Sequence, residues 1–142
     1  MMKTGYSKQQ SLAMEHGSAE ETLAWGLTTT ARRMADVQRE DATRDQILDA
    51  VRLNWRLWTI IQAEQSAPDC ATPKSIRESL LNLSNFVDKR SVDLLARPDH
   101  AKLAILIDIN RNIAAGLLGT DLTPEQRAER DRERAAALTT QR

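Results

Sequence analysis

Leu103, Leu106, Ile107, Asn110, Ile113, Ala114 and Leu117 recur at spacings of three and four residues and close on Gly119. Residues so spaced share one stripe of an α-helix, whereas a strand, with its period of two, scatters them over both faces. A glycine just past the last apolar position suits a helix stop, because it readily takes the left-handed conformation that ends the helix. This stripe must be buried, and Asn110 stands in the middle of it. An amide left alone in an apolar core costs about 1–3 kcal/mol, so whatever covers the stripe has to hydrogen-bond it.

Three earlier segments carry stripes of the same period. Ser18-x-x-Glu21 is a capping-box pattern. The helix expected after it, to about Arg39, gathers Leu23, Leu27, Thr30, Met34 and Val37, with Trp25 on the opposite side. Beyond REDAT, where Asp41 or Thr43 can serve as N-cap, a helix from about Arg44 to Ser66 aligns Ile47, Leu48, Val51, Asn54, Trp55 and Trp58. Leu53, Leu57 and Ile60 lie largely outside that face; a helix apolar on nearly two sides is central in a bundle or offers a surface to a partner. After Pro68, Thr72-Pro73 reads as an N-cap with proline at N1, and a third helix aligns Ile76, Leu80, Leu83, Val87 and Leu94, with Phe86 to one side. ARPD breaks the chain before the fourth helix, expected from about Asp99 to Leu118. Thr123-Pro124-Glu125-Gln126 repeats the cap pattern and opens a segment charged nearly all round, with little to bury.

With 5 glycines and 4 prolines in 142 residues, and few β-branched or aromatic runs, helix formers dominate. The expected fold is all-α: an antiparallel bundle of four main helices over residues 18–119. It carries a polar, flexible N-terminal arm over residues 1–17, anchored by Tyr6, and a charged, loosely held C-terminal helix or tail over residues 120–142.

The 20 basic and 20 acidic side chains cancel, which disfavours nucleic-acid binding driven by counterion release. Arg32, Arg33, Arg39, Arg44, Arg52 and Arg56 make one region locally basic, but Asp36, Glu40, Asp41, Asp45 and Asp49 are interleaved with them. Cys70 is the single cysteine, so no intramolecular disulfide or cysteine metal cluster is expected. The N-terminus lacks the apolar core of a signal peptide, and no apolar run approaches the ~20 residues of a membrane span. A cytoplasmic protein without membrane insertion is expected. There is no phosphate loop, nucleophile elbow or zinc motif, and His16 and His100 each stand alone. The expectation is a non-enzyme without cofactor or metal.

Asn54 and Asn110 lie on two core-facing stripes. They can satisfy each other, or bond to broken backbone or to tryptophan indole N–H groups. Read as one network docking the fourth helix on the second, they imply that Asn110→Leu spares or raises stability while loosening the uniqueness of packing. Trp25, Leu53, Leu57 and Ile60 are the candidate partner-binding residues, although each can instead pack within the bundle.

NWRLWTI, with Asn54, Leu57, Trp58, Thr59 and Ile60, precedes KLAILIDINRNIAAGLLG, with Leu106, Ile109, Asn110, Ile113, Ala114, Gly116 and Leu117. Together with Asn82, Leu83, Phe86 and Val87 between them, these elements resemble the flagellar biosynthesis regulator FlaF family of alphaproteobacteria, over about residues 5 to 119. The resemblance implies a small cytoplasmic helical protein needed for the flagellar filament. It further implies a chaperone-like partnership with flagellin before export, in opposition to the flagellin translation repressor FlbT. Contact with flagellin mRNA, or an adaptor role toward another regulator such as an FlbT-like repressor, is the alternative. Oligomeric state is left open, and the charged tail lies outside the resemblance.

Overall fold

A computed structural model describes residues 18–119 and 123–140; the arm expected over residues 1–17, Tyr6 included, lies outside the described residues. Five α-helices make up nearly all of it: α1 (Ala19–Asp36), α2 (Arg44–Ser66), α3 (Lys74–Ala96), α4 (Ala104–Leu118) and α5 (Pro124–Thr140), with a 3₁₀ turn, His100–Leu103, leading into α4. No strand occurs among the described residues. Short connections make sequence neighbours antiparallel. The most extensive packing is α1 on α4, then α2 on α3, then α1 on α2, while α3 and α4 barely touch.

Local chemistry sets the helix ends. The Ser18 hydroxyl accepts a hydrogen bond from the Glu21 N–H at 3.1 Å. At α2 Thr43, not Asp41, is the cap: its hydroxyl accepts from the Gln46 N–H at 3.1 Å and its own N–H donates to Gln46 Oε1 at 2.9 Å. Three expected boundaries are corrected. The first helix stops at Asp36, where the Val37 N–H turns back to Met34 O at 3.2 Å, and does not reach Arg39. Pro73 itself takes the N-cap position of α3, without a side-chain cap, so Thr72 does not cap it. The fourth helix is not continuous from Asp99, because the Asp99 carboxylate accepts from the Ala101 N–H at 3.0 Å and winds a tighter 3₁₀ turn first.

Leu27, Met34, Val51, Trp58, Leu80, Val87, Leu94, Leu103 and Leu106 form the centre of the core. On α3 the inward line is Leu80, Ser84, Val87, Ser91 and Leu94. Leu83, expected on that line, is only partly buried against its flank, and Ile76 is exposed. Serines at two inward positions cost the sequence pattern its apolar signal. Trp55 is likewise not a core residue: it is half-buried, and its indole N–H donates to the Asp88 carboxylate at 2.8 Å.

Gly119 ends α4 with φ 71°, the left-handed conformation expected of it. The following helix opens on a reciprocal Thr123–Gln126 cap, with bonds of 2.9 and 3.1 Å. Its described side chains are exposed apart from Arg130. The contact with the bundle runs through Arg127, whose Nε donates to Gly119 O at 3.2 Å, and through the Arg130 guanidinium, which lies against the Gly119 backbone. A Cβ at residue 119 would meet that guanidinium as well as strain the backbone. Gly119→Ala should therefore lower the unfolding free energy by about 1–2 kcal/mol in urea titration, and Gly116→Ala, where a Cβ meets nothing within 4 Å, by less.

Candidate functional site

Asn110 and Asn54 are both fully buried, and the structure brings them together. Asn110 Nδ2 donates to Asn54 Oδ1 and to Thr30 Oγ1, each at 2.7 Å, with Leu27 O at 3.3 Å. Asn110 Oδ1 accepts from the Trp58 indole N–H at 3.0 Å. The Thr30 hydroxyl in turn donates a hydrogen bond to Leu27 O at 3.1 Å. The direction of every bond follows from one donor. An indole N–H can only donate, so Asn110 must turn its oxygen to Trp58 and its NH₂ to Thr30 and Asn54. Asn54 must then present its own oxygen, which leaves Asn54 Nδ2 buried without a hydrogen-bond partner. One amide on α4 thereby ties α1 and α2 together from inside.

The arrangement overturns the expectation for Asn110→Leu. That expectation suits a pair of amides removed together, but Asn110 serves Trp58, Thr30 and Asn54 at once. Removing it alone orphans a buried indole N–H and a buried amide oxygen.

Two apolar seams mark the outside of the bundle. At the first, α1 crosses α2 closely: a Cβ on Gly26 would touch the Leu57 side chain at 3.5 Å. Leu53, Leu57 and Ile60 form the flank of α2 on that side, and Trp25 follows next to Gly26 on α1. Trp25 is 44% exposed and Ile60 51%, with Leu53 and Leu57 half-buried beneath. One turn after Trp25 on α1, the Thr29 hydroxyl donates to Trp25 O at 2.8 Å. Of the four residues singled out by sequence, Leu53, Leu57 and Ile60 share one flank of α2 at helical spacing, and Trp25 is exposed on α1 beside Gly26 in the chain.

The second seam escaped the sequence pattern. Because α3 and α4 barely touch, an open groove of about 320 Å³ runs between the start of α3 and the end of α4. Ile76, Leu80, Ile113 and Leu117 line it, with Gly116 leaving it open from the α4 side. All four apolar residues lie on stripes that read as core, and only the spacing of the helices shows that part of each stripe is uncovered. Asn112, Ser75 and Ser79 form its polar rim.

Two of the arginines of the locally basic region stand beside acids: Arg39, between α1 and α2, pairs with Asp41 at 3.0 Å, and Arg52 on α2 lies 3.9 Å from Asp49. No helix among the described residues is long and apolar enough to cross a membrane.

Fold and site define a class: a small all-helical bundle pinned from within by one amide network and bearing two apolar seams. The family is shown as well. The family model of the flagellar protein FlaF matches residues 2–117, so the chain belongs to the FlaF family and is a flagellar protein. No curated protein and no solved structure matches it. The matched span takes in Asn54, Leu57, Trp58, Asn110, Ile113 and Gly116, reaches back over residues 2–17, and stops short of α5.

The network makes a quantitative prediction. Asn110→Leu should lower the unfolding free energy by about 2–3 kcal/mol, measured in urea, and replacing Asn54, Asn110 and Trp58 together by Leu, Leu and Phe should restore most of it. In a double-mutant cycle, Asn54→Ala and Asn110→Ala should couple by about 1 kcal/mol; strict additivity would show that the 2.7 Å bond is energetically silent.

Proposed function

We propose that this flagellar protein is a non-enzymatic, cytoplasmic regulator of filament assembly, a chaperone that binds flagellin and promotes its synthesis and export in opposition to FlbT. The observation that carries this reading is the seam of Trp25, Leu53, Leu57 and Ile60 in a chain of the FlaF family. Tryptophan is enriched among binding hot spots, and an exposed one beside an aliphatic stripe offers the anchor and pocket wall that helix-in-groove recognition uses.

The physical division of labour supports the same reading. The amide network holds α1, α2 and α4 in fixed register, so the two flanks of the seam are presented in one geometry and little ordering cost falls on the binding step. A partner helix with large apolar residues every three or four positions would lay them along Leu53, Leu57 and Ile60 and cover the Trp25 ring. The acids beside Arg39, in the α1–α2 connection, and Arg52, on α2, favour a protein over RNA as the partner.

Calorimetric titration with unassembled flagellin checks the reading. A dissociation constant of micromolar or tighter is expected, weakened at least about tenfold by Trp25→Ala or Ile60→Asp. An absence of binding at tens of micromolar sinks the chaperone reading.

A further inference from the structure

Asn54 Nδ2 is not the only buried polar atom of the core without a hydrogen-bond partner. Among the described residues of α1 to α4, Ser84 Oγ and Ser91 Oγ on α3 share that condition, and all three residues are fully buried. A helical serine can satisfy itself on the carbonyl of the preceding turn, and neither does so here.

Both serines lie on the side of α3 turned to α2. The Trp55 indole on α2 bonds Asp88 at 2.8 Å, which marks that side. At ~100° per residue, Ser91 and Ser84 fall about 40° and 60° from Val87 in the direction of Asp88. The same bond sets the register of two antiparallel helices. With Trp55 beside Asp88, Asn54 stands level with Lys89. At ~1.5 Å per residue, Ser91 is then ~3 Å along the axis from that level, and Ser84 ~7–8 Å the other way. Asn54 cannot offer its nitrogen to Asn110, because its Oδ1 already accepts from Asn110 Nδ2 at 2.7 Å. Ser91 Oγ is thus the unpartnered group nearest in level to the spare Nδ2, yet the two do not bond directly.

We propose that one internal water bridges Asn54 Nδ2 on α2 and Ser91 Oγ on α3, carrying the amide network into the one core helix it otherwise misses. The water accepts from Nδ2 and donates to Oγ. Its second hydrogen has the carbonyls of the adjoining helical turns, each of which carries two lone pairs. Internal waters make about three such bonds, to buried polar groups that lack other partners. Its immobilisation is the entropic cost that the spare amide carries. Room alone does not account for Ser91, since alanine would give α2 the same space. What calls for a polar ligand is a serine at this level together with an amide nitrogen that has nowhere else to donate. The bridge matters because α3 barely touches α4. Its register rests on α2, through Trp55–Asp88 at the edge and this water inside.

The test uses the full chain. A crystal structure that resolves ordered solvent should show one water within hydrogen-bond distance of both Asn54 Nδ2 and Ser91 Oγ. A direct Nδ2–Oγ bond, or a dry contact, overturns the proposal. Urea unfolding gives an independent reading. Ser91→Ala should lower the folded-to-unfolded ratio by about fivefold, and Ser84→Ala, two turns away, by less than about twofold. In the Asn54→Ala background the Ser91→Ala loss should disappear. A Ser91→Ala chain as stable as its parent shows that the serine serves only as a small residue, and an equal loss in both backgrounds shows that it does not act through Asn54. Either result overturns the bridge.

Discussion

The hydrogen bond from the Trp58 indole to Asn110 governs the interior. It allows one orientation of the Asn110 amide, and from that orientation follow the bonds to Thr30 and Asn54. An all-aliphatic stripe would let α4 slide or rotate by a turn at small cost, because hydrophobic contact is non-directional. A buried amide with several partners on two other helices removes that freedom, since each alternative register leaves polar groups dry and unpaired. The network stabilises one packing by penalising the others, and the spare Nδ2 of Asn54 is the residual cost of that choice.

Fixed register in the interior gives meaning to the outside. The flank of Leu53, Leu57 and Ile60 lies where α1 passes α2, with the Leu57 side chain facing Gly26. The opposite seam exists because α3 is held by α2 and α4 by α1, with nothing comparable drawing α3 and α4 together. The bundle is thus closed on three of its four sides, and the apolar lining of the fourth stays open.

Much of this was legible in the residues. Helix number, the Asn54–Asn110 association, the outward Trp25 and the Gly119 stop all follow from periodicity and from the price of a dry amide. What was not legible has a common cause. Ser84 and Ser91 occupy inward positions that an apolar pattern does not mark, so the stripe of α3 reads one residue out of line through Leu83. Ile76, Ile113 and Leu117 look like core because periodicity reports which way a side chain faces on its own helix, not whether another helix stands opposite. Thr30 was on the expected α1 stripe, yet its place in the network depends on two helices far along the chain. The family itself came from residue patterns, and the match over residues 2–117 shows that the signal extends beyond the pinned core.

Order of assembly follows from where Asn110 finds its partners. Its bonds to Thr30 and Asn54 span 80 and 56 residues of sequence, and the best-packed helix pair, α1 with α4, joins the first helix of the bundle to its last. Pairings so distant are made late, after loop-closure entropy has been overcome by local contacts such as those of α2 with α3. On the ribosome, α2 therefore emerges with Asn54 and Trp58 unpaired and must wait for α4 before its polar groups are satisfied. Completion of this protein is set by its C-terminal third, and a nascent chain that stalls before Asn110 has a hairpin but no lock.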